Sequence, residues 1–509
     1  KKKILIALSA GGLKSASIFE SMLAVSLDTR GHNVEFLLCD GVLSACIMCT
    51  LKNVDEDEYI KSGPKKICNS CFINSYKFLK PTKIRINVLS DYLKIQDNNF
   101  IKNIKFEKKK FEELKNFSIN KIPVGEHAYA GALRYYGSTE LENNNKSKTI
   151  LIEYLKSGVK SYLASDRLFK KNKYDEILLN HGIYIPQGII NSVAKENKIN
   201  VTNWCPGYRS STFTLTRNET YHKSLVIEDN KNWQNLQFNK KLEKKTLDYI
   251  ESRVLGKNDW IYFHNNPTFN VDKLFKDLKV DLNKPVIALL PNTIWDAQLD
   301  YPFNFFKNIL EWIFFTIDYF AERDDIQLLI RVHPAEVNDT KPSKQRVKDE
   351  IMKKYKILPK NIFIVEAENN ISTYPIVEKC NSAIIYATKM GIELSANNKP
   401  VIVCGEAFIR NKEIAIDVKN KNHYLEVLNT LPFKNHSIDI LRARKYAYHF
   451  FFRRMIPIKS ILEKKGSWPN LEIDKKLENI LQQRSDQGLE KIIECFEDGS
   501  DFIFEDEQI

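Results

Sequence analysis

Short apolar runs alternating with helical periodicity, interrupted once and then restarted, constrain this chain more than any other feature of its sequence. Lys3 to Ser9 (KILIALS) is a continuous apolar run, and Gly11-Gly12 turns it. Ser15 to Asp28 then repeats apolar residues at helical spacing on Ile18, Phe19, Met22, Leu23 and Leu27. Gly31 stops that helix, and Val34 to Cys39 (VEFLLC) is the next buried strand. Strand, glycine turn, helix and strand within about 40 residues predict the opening of a parallel Rossmann-like sheet. The glycines do not complete a G-x-G-x-x-G, so the turn reads as a tight strand-to-helix link. Glu176 to Asn180 (EILLN), closed by His181-Gly182, predicts a further strand.

The pattern breaks over 256–284, where Gly256, Asn258, Asp259, Asn265, Asn266, Pro267 and Asn283 accumulate, as in a connection between lobes. It restarts at Pro285. Strands at Pro285 to Leu290, Gln327 to Val332, Ile362 to Val365, Ser382 to Tyr386 and Pro400 to Cys404 alternate with helices at Phe303 to Ala321, Lys344 to Tyr355 and Ile371 to Cys380. The expected fold is α/β, with two Rossmann-like lobes facing a central cleft. The first lobe is expected over 1–255, the second over 285–430, and C-terminal helices with an acidic tail over 431–509. A length of 509 residues accommodates this division.

With 77 Lys and Arg against 64 Asp and Glu, the net charge is +13. That balance suits anionic ligands and does not call for nucleic acid. Even the most aromatic stretch, Phe303 to Phe320, is interrupted by Lys307, Glu311 and Asp318, so no membrane span is expected. The lysine-rich start reads as a first strand lacking its initiator Met rather than a signal peptide, because Gly11-Gly12 and Lys14 follow the short apolar run at once. The expected location is the cytoplasm.

The sharpest local feature of the second lobe is Arg331-Val332-His333-Pro334-Ala335-Glu336, at the carboxyl end of a strand. Ligands bind at that edge of open α/β sheets, and Pro334 forces the chain out of the strand. An Arg and a His together suit a phosphate. Ser372-Thr373 open the helix after IFIV and offer hydroxyls and backbone N–H groups to an anion. Thr388, Gly391 and Glu393 follow the strand AIIY, where a carboxylate is placed to meet ribose hydroxyls.

The spacing of RVHPAE, IST and T-x-x-G-x-E-x(5)-KPVIVCG resembles the second lobe of GT-B glycosyltransferases of the bacterial capsule polysaccharide biosynthesis type, which carry an HP motif. LLPNTIWDA (289–297) is similar to the loop that begins this lobe. LLCDG (37–41), GEHA (125–128), NHG (180–182) and WCPGYRSST (204–212) extend the resemblance into the first lobe as scattered islands.

The resemblance implies a nucleotide-sugar donor on the second lobe and a glycan or lipid-linked glycan acceptor on the first. It implies donor-phosphate contacts from Arg331 and His333 within the Glu336-containing motif, with Ser372, Thr373 and Thr388 supporting them near Gly391. Glu393 would hold the ribose, and Asn292 and Asp296 would stand at the cleft mouth. No bound metal is implied for transfer, because side chains and helix N-termini offset the leaving phosphate's charge. A teichoic-acid-type glycerophosphate or polyol-phosphate transferase and a non-catalytic assembly module of a polysaccharide machine are the rival readings.

A general base is expected from the first lobe, with Asp40, Glu126 and His181 as candidates and His181 preferred. Cys46-x2-Cys49, eighteen residues, then Cys68-x2-Cys71 is the spacing of a four-thiolate zinc knuckle within 46–71, with Cys39 nearby. Structural zinc, an iron–sulfur cluster and reduced cysteines without metal all remain open from spacing. Arg442 to Met455 (RARKYAYHFFFRRM) interleaves cations and aromatics. It suits peripheral contact with the inner membrane surface, but five aromatics in seven positions favour packing across the two lobes.

Overall fold

The computed structural model describes every residue except Ser9, 260–266, 339–341, 435–437, 465–469, 474–480, 482–483 and 506–509. The breakers Asn265 and Asn266 and the end of the acidic tail therefore lie outside the described residues.

The first lobe contains β1 (Lys3–Ile6), β2 (Asn33–Leu38), β3 (Arg85–Val88), β4 (Glu176–Asn180), β5 (Asn200–Pro206) and β6 (Thr212–Arg217). The second contains β7 (Val286–Pro291), β8 (Gln327–Arg331), β9 (Ile362–Val365), β10 (Ser382–Tyr386), β11 (Val401–Val403) and β12 (Ile416–Asp417). A late strand, β13 (Ile456–Pro457), returns to the first sheet. The first sheet runs β13-β6-β5-β4-β1-β2-β3 and the second β12-β11-β10-β7-β8-β9. Every pairing in the second is parallel. In the first, only β6 and β13 are antiparallel to their neighbours. The expected α/β class, with two Rossmann-like lobes facing a cleft and a C-terminal helical segment, is the architecture observed.

Strands this apolar need cover on both faces. In the first sheet Leu5, Leu37, Ile177 and Leu179 share one core with the long helix Asn145–Lys171. Ile4, Ile6, Phe36 and Leu178 share the other with helices Lys14–Thr29 and Gln487–Asp498. Alternate residues of one strand thus feed opposite cores, as the two-residue period of a strand requires. The C-terminal segment completes the first lobe: helix Gln487–Asp498 packs on Lys14–Thr29 after the chain has crossed back through β13.

Helix Ile440–Tyr448 packs on helices Met390–Ala396 and Lys240–Val254. Tyr446, Tyr448, Phe450, Phe451 and Phe452 are all buried, and Phe451 meets Tyr249 edge-on at 5.0 Å. These rings fill the seam beside the second lobe rather than forming an exposed face for a bilayer. Among the described residues no helix is long and apolar enough to cross a membrane.

Candidate functional site

The two sheets present their carboxyl edges to one cleft. Strand order reverses beside β1 in one sheet and beside β7 in the other, and such reversals open a crevice at the strand ends. The cleft has a volume of about 400 Å³ and is lined by both lobes. His181, Tyr184, Tyr208 and His222 come from the first. Asn292, Asp296, Arg331, His333, Ser372, Thr373 and Thr388 come from the second, so one cavity gathers most of the donor-side residues singled out from sequence.

Each is held by local geometry. The His333 Nδ1 accepts the Ala335 N–H at 3.1 Å, which leaves the Nε2–H as the donor of a neutral ring. Arg331 is 2% exposed and donates to the carbonyls of Asn369 (3.0 Å), Ile371 (3.1 Å) and Glu366, so it props the loop leading to Ser372. Burial pushes its guanidinium down to about 10. Asn292 donates to the carbonyl of Ala387 at 2.9 Å. Ala387, His181 and Ala297 all have positive φ, of 52°, 58° and 48°. Non-glycine residues held in that region cost energy and gather where a site over-determines the backbone.

Several expected residues stand elsewhere. Glu393 is fully buried and does not reach the cleft: Arg253 Nε lies at 2.9 Å, Lys389 Nζ at 3.1 Å, and the Tyr374 hydroxyl donates to it. Burial opposes its charge, yet Arg253 and Lys389 outweigh burial and hold its carboxyl below the ordinary range. Its expected part on the ribose is therefore taken up by internal ion pairing. Glu336 is buried and accepts the Val347 N–H at 2.9 Å, anchoring the next helix. Gly391 is a packing residue, since a Cβ there would come within 2.7 Å of Ile385 and Ile409.

Of the base candidates, only His181 lines the cleft. Asp40 lies two residues past β2 and accepts the Ser90 N–H at 3.3 Å. Glu126 accepts the Asp300 N–H at 2.9 Å and so ties the lobes together; burial raises its pKa.

Sequence reading missed Arg253, Lys389 and His222. Lys389 lines the cleft beside Thr388, lies 4.8 Å over the Tyr208 ring, and has its pKa lowered by burial and by Arg253. His222 stacks on Phe408 at 5.9 Å, and burial pushes it down to about 4 against the pull of Asp296. It lies in the first turn of helix Tyr221–Val226, after a strand the sequence did not reveal.

Among the described residues, no group of three or more His, Cys, Asp or Glu side chains is placed to hold a metal ion. The zinc expected at Cys46, Cys49, Cys68 and Cys71 gains no support from that geometry.

No protein-family model matches the chain, and no curated protein matches it in sequence. Solved structures that overlap with it include KpsC of Thermosulfurimonas dismutans, a beta Kdo 2,4 transferase. The overlap covers 55% of this chain and 80% of that one, at 12% identity and a TM-score of 0.36. A UDP-GlcNAc 2-epimerase from Neisseria meningitidis overlaps over 88% and 97%, at 10% identity and 0.30. A glycosyltransferase from Rickettsia africae overlaps over 89% and 94%, at 14% identity and 0.28. Overlaps this loose leave the function to the site itself.

Proposed function

We propose that the chain is a glycosyltransferase that moves a sugar from a nucleotide-sugar donor on the second lobe to a surface polysaccharide or related glycan on the first. The observation that carries this reading is one cleft in which His333, Ser372, Thr373, Thr388 and Lys389 face His181 and His222 across the lobe boundary. The second-lobe groups are the donors that a leaving nucleoside phosphate needs: an imidazole N–H, hydroxyls and an ammonium. A first-lobe imidazole takes the proton of the acceptor hydroxyl. His222, held neutral by burial, and His181 are the groups in place to do so. The charge developing on the leaving phosphate is offset by these side chains, so transfer in this reading needs no metal.

The test is thermal unfolding with CMP-, UDP- and GDP-sugars, since a ligand that binds only the fold at 100 times its Kd stabilises by about 2.7 kcal/mol. One nucleotide class should raise Tm, His333→Ala should abolish the rise, and an acceptor glycan should trigger nucleotide release. A parent protein stabilised by none of them overturns the proposal, and release of a phosphate-bearing group onto the acceptor would favour the polyol-phosphate transferase instead.

A further inference from the structure

Residues 59–90 carry seven cations, Lys61, Lys65, Lys66, Lys77, Lys80, Lys83 and Arg85, and no carboxylate. All seven are exposed. The carboxylates just before this stretch are engaged locally: Glu56 accepts the Tyr136 hydroxyl, Asp57 pairs with Lys146 at 2.8 Å and Glu58 with Lys66 at 2.7 Å. A stretch of one sign this long, held on the surface, is complementary to an anionic partner.

Helix Lys65–Leu79 runs through the middle of it and buries only Ser75 and Leu79. Lys66, Ile73, Lys77 and Lys80 follow one another at spacings of seven, four and three, which places them on one side of the helix, facing out. Ile73 is 48% exposed, Tyr76 39% and Phe78 42%. Apolar side chains set among lysines, with a tyrosine at the border, compose a helix that lies in a headgroup layer. The apolar groups enter the acyl boundary while the lysine stems follow them and the ammonium groups stay with the lipid phosphates. A soluble polyanion would use the cations and give Ile73 no part.

The helix is seated at the cleft edge of the first lobe. The Ser75 hydroxyl donates to the Gly11 carbonyl at 2.6 Å and the Gly12 N–H to the Cys71 sulfur at 2.9 Å, so it rests on the turn that leaves the carboxyl end of β1. Glycine is required for that approach, since a Cβ on Gly11 would stand 2.1 Å from the Ser75 oxygen. This surface is separate from Arg442 to Met455, whose aromatic rings are buried at the seam.

We propose that the outward side of helix Lys65–Leu79, with Lys61 and Lys83 flanking it, docks on an anionic lipid bilayer and holds the carboxyl edge of the first sheet beside the membrane. The docking stands on this surface alone. Its consequence for the acceptor, entry of a lipid-linked glycan from the bilayer, rests on the transfer reading above.

The experiment is co-sedimentation of the full chain with vesicles of pure phosphatidylcholine and with vesicles of equal parts phosphatidylcholine and phosphatidylglycerol, without donor or acceptor. At about 0.1 M salt the chain should bind the anionic vesicles and leave the neutral ones, and at about 1 M salt, where charges are screened beyond about 3 Å, binding should be lost. Lys77→Gln/Lys80→Gln should weaken binding about 20-fold, and Ile73→Ser several-fold with the charge unchanged. Lys353→Gln/Lys360→Gln, exposed cations of the second lobe, should leave it as it was. Thermal unfolding of each variant at the parent's Tm confirms that these exposed positions act on binding and not on folding. No binding to anionic vesicles, equal binding to both kinds, parent-like binding by the Lys77/Lys80 variant, or binding indifferent to Ile73→Ser and competed equally by heparin each overturns the proposal. Because no readout involves sugar transfer, vesicle binding can fail while nucleotide binding stands, and the reverse.

Discussion

The hydroxyl of Tyr184, from the first lobe, donates to the carboxylate of Asp296, from the second, at 2.9 Å and accepts the N–H of Ala297 at the same distance. One phenol therefore satisfies a charged acceptor and a backbone donor on the opposite lobe, beside the positive-φ Ala297. Tyr184→Phe removes both bonds while keeping the ring. The expected loss is about 1–3 kcal/mol, the cost of leaving buried polar groups unpaired. Denaturant titration measures it, and the KM for both substrates should rise more than kcat falls.

Arg253 and Glu393 form the buried ion pair at the floor of the site, with side chains 6% and 0% exposed. Removing one member leaves the other buried with one charged partner fewer, Glu393 keeping Lys389 and Arg253 keeping Asp259, at a cost of up to about 3–5 kcal/mol. Arg253→Met should lower Tm strongly, and Arg253→Met/Glu393→Gln should recover part of the loss. A double variant no more stable than the single one would show that the pair is not coupled.

Glu20 lies 1% exposed against Trp204, whose indole N–H donates to it at 2.7 Å. Burial raises its pKa from 4.5 to about 8, so the fold holds the carboxyl protonated at neutral pH. The folded state then binds more protons than the unfolded state between these values, and stability falls as pH rises, by about 1.4 kcal/mol per unit. Glu20→Gln keeps an oxygen for Trp204 and removes the titration. Its advantage over the parent should grow from pH 5 to pH 8, read by urea unfolding at each pH.

His127 shows the opposite limb. It is 5% exposed, its Nδ1 meets the Ile183 carbonyl, and burial pushes it from 6.5 to about 4. The unfolded chain binds the extra proton, so the contribution is complete above pH 6.5 and is lost as pH falls toward 4, about 3 kcal/mol in all. His127→Gln should flatten the acid limb of the stability profile. An unchanged limb would assign acid sensitivity to other groups.

The second lobe was legible from sequence almost strand for strand: IFIV and SAIIY are β9 and β10 as read. Their apolar runs are short, continuous and bounded by breakers. The first lobe was less so. β5 (NVTNWCP) escaped because its buried Thr202 and Asn203 interrupt the apolar signal. The fold accepts them because Thr202 donates to Glu176 at 2.6 Å and Asn203 to the Glu219 carbonyl at 3.1 Å. β13 escaped because it is two residues long and pairs with β6 from a segment far along the chain, whereas β6, one short loop after β5, went unread although TFTLTR alternates polar and apolar residues.

The site divides in the same way. His333, Thr388 and His181 stand just past strand ends, so local pattern placed them at a sheet edge before any coordinates did. Glu393 stands in the first turn of the helix after β10, and sequence could not say that Arg253, 140 residues earlier, would claim its carboxylate. By itself the sequence determined the parallel second sheet, the parallel start of the first and which edges face a ligand, because strand periodicity and turn chemistry are local. Only the tertiary structure decided which of the edge residues reach the cleft and which are spent on internal pairing. Burial and charge pairing are set by residues distant in the chain, and a folded packing is what brings them together.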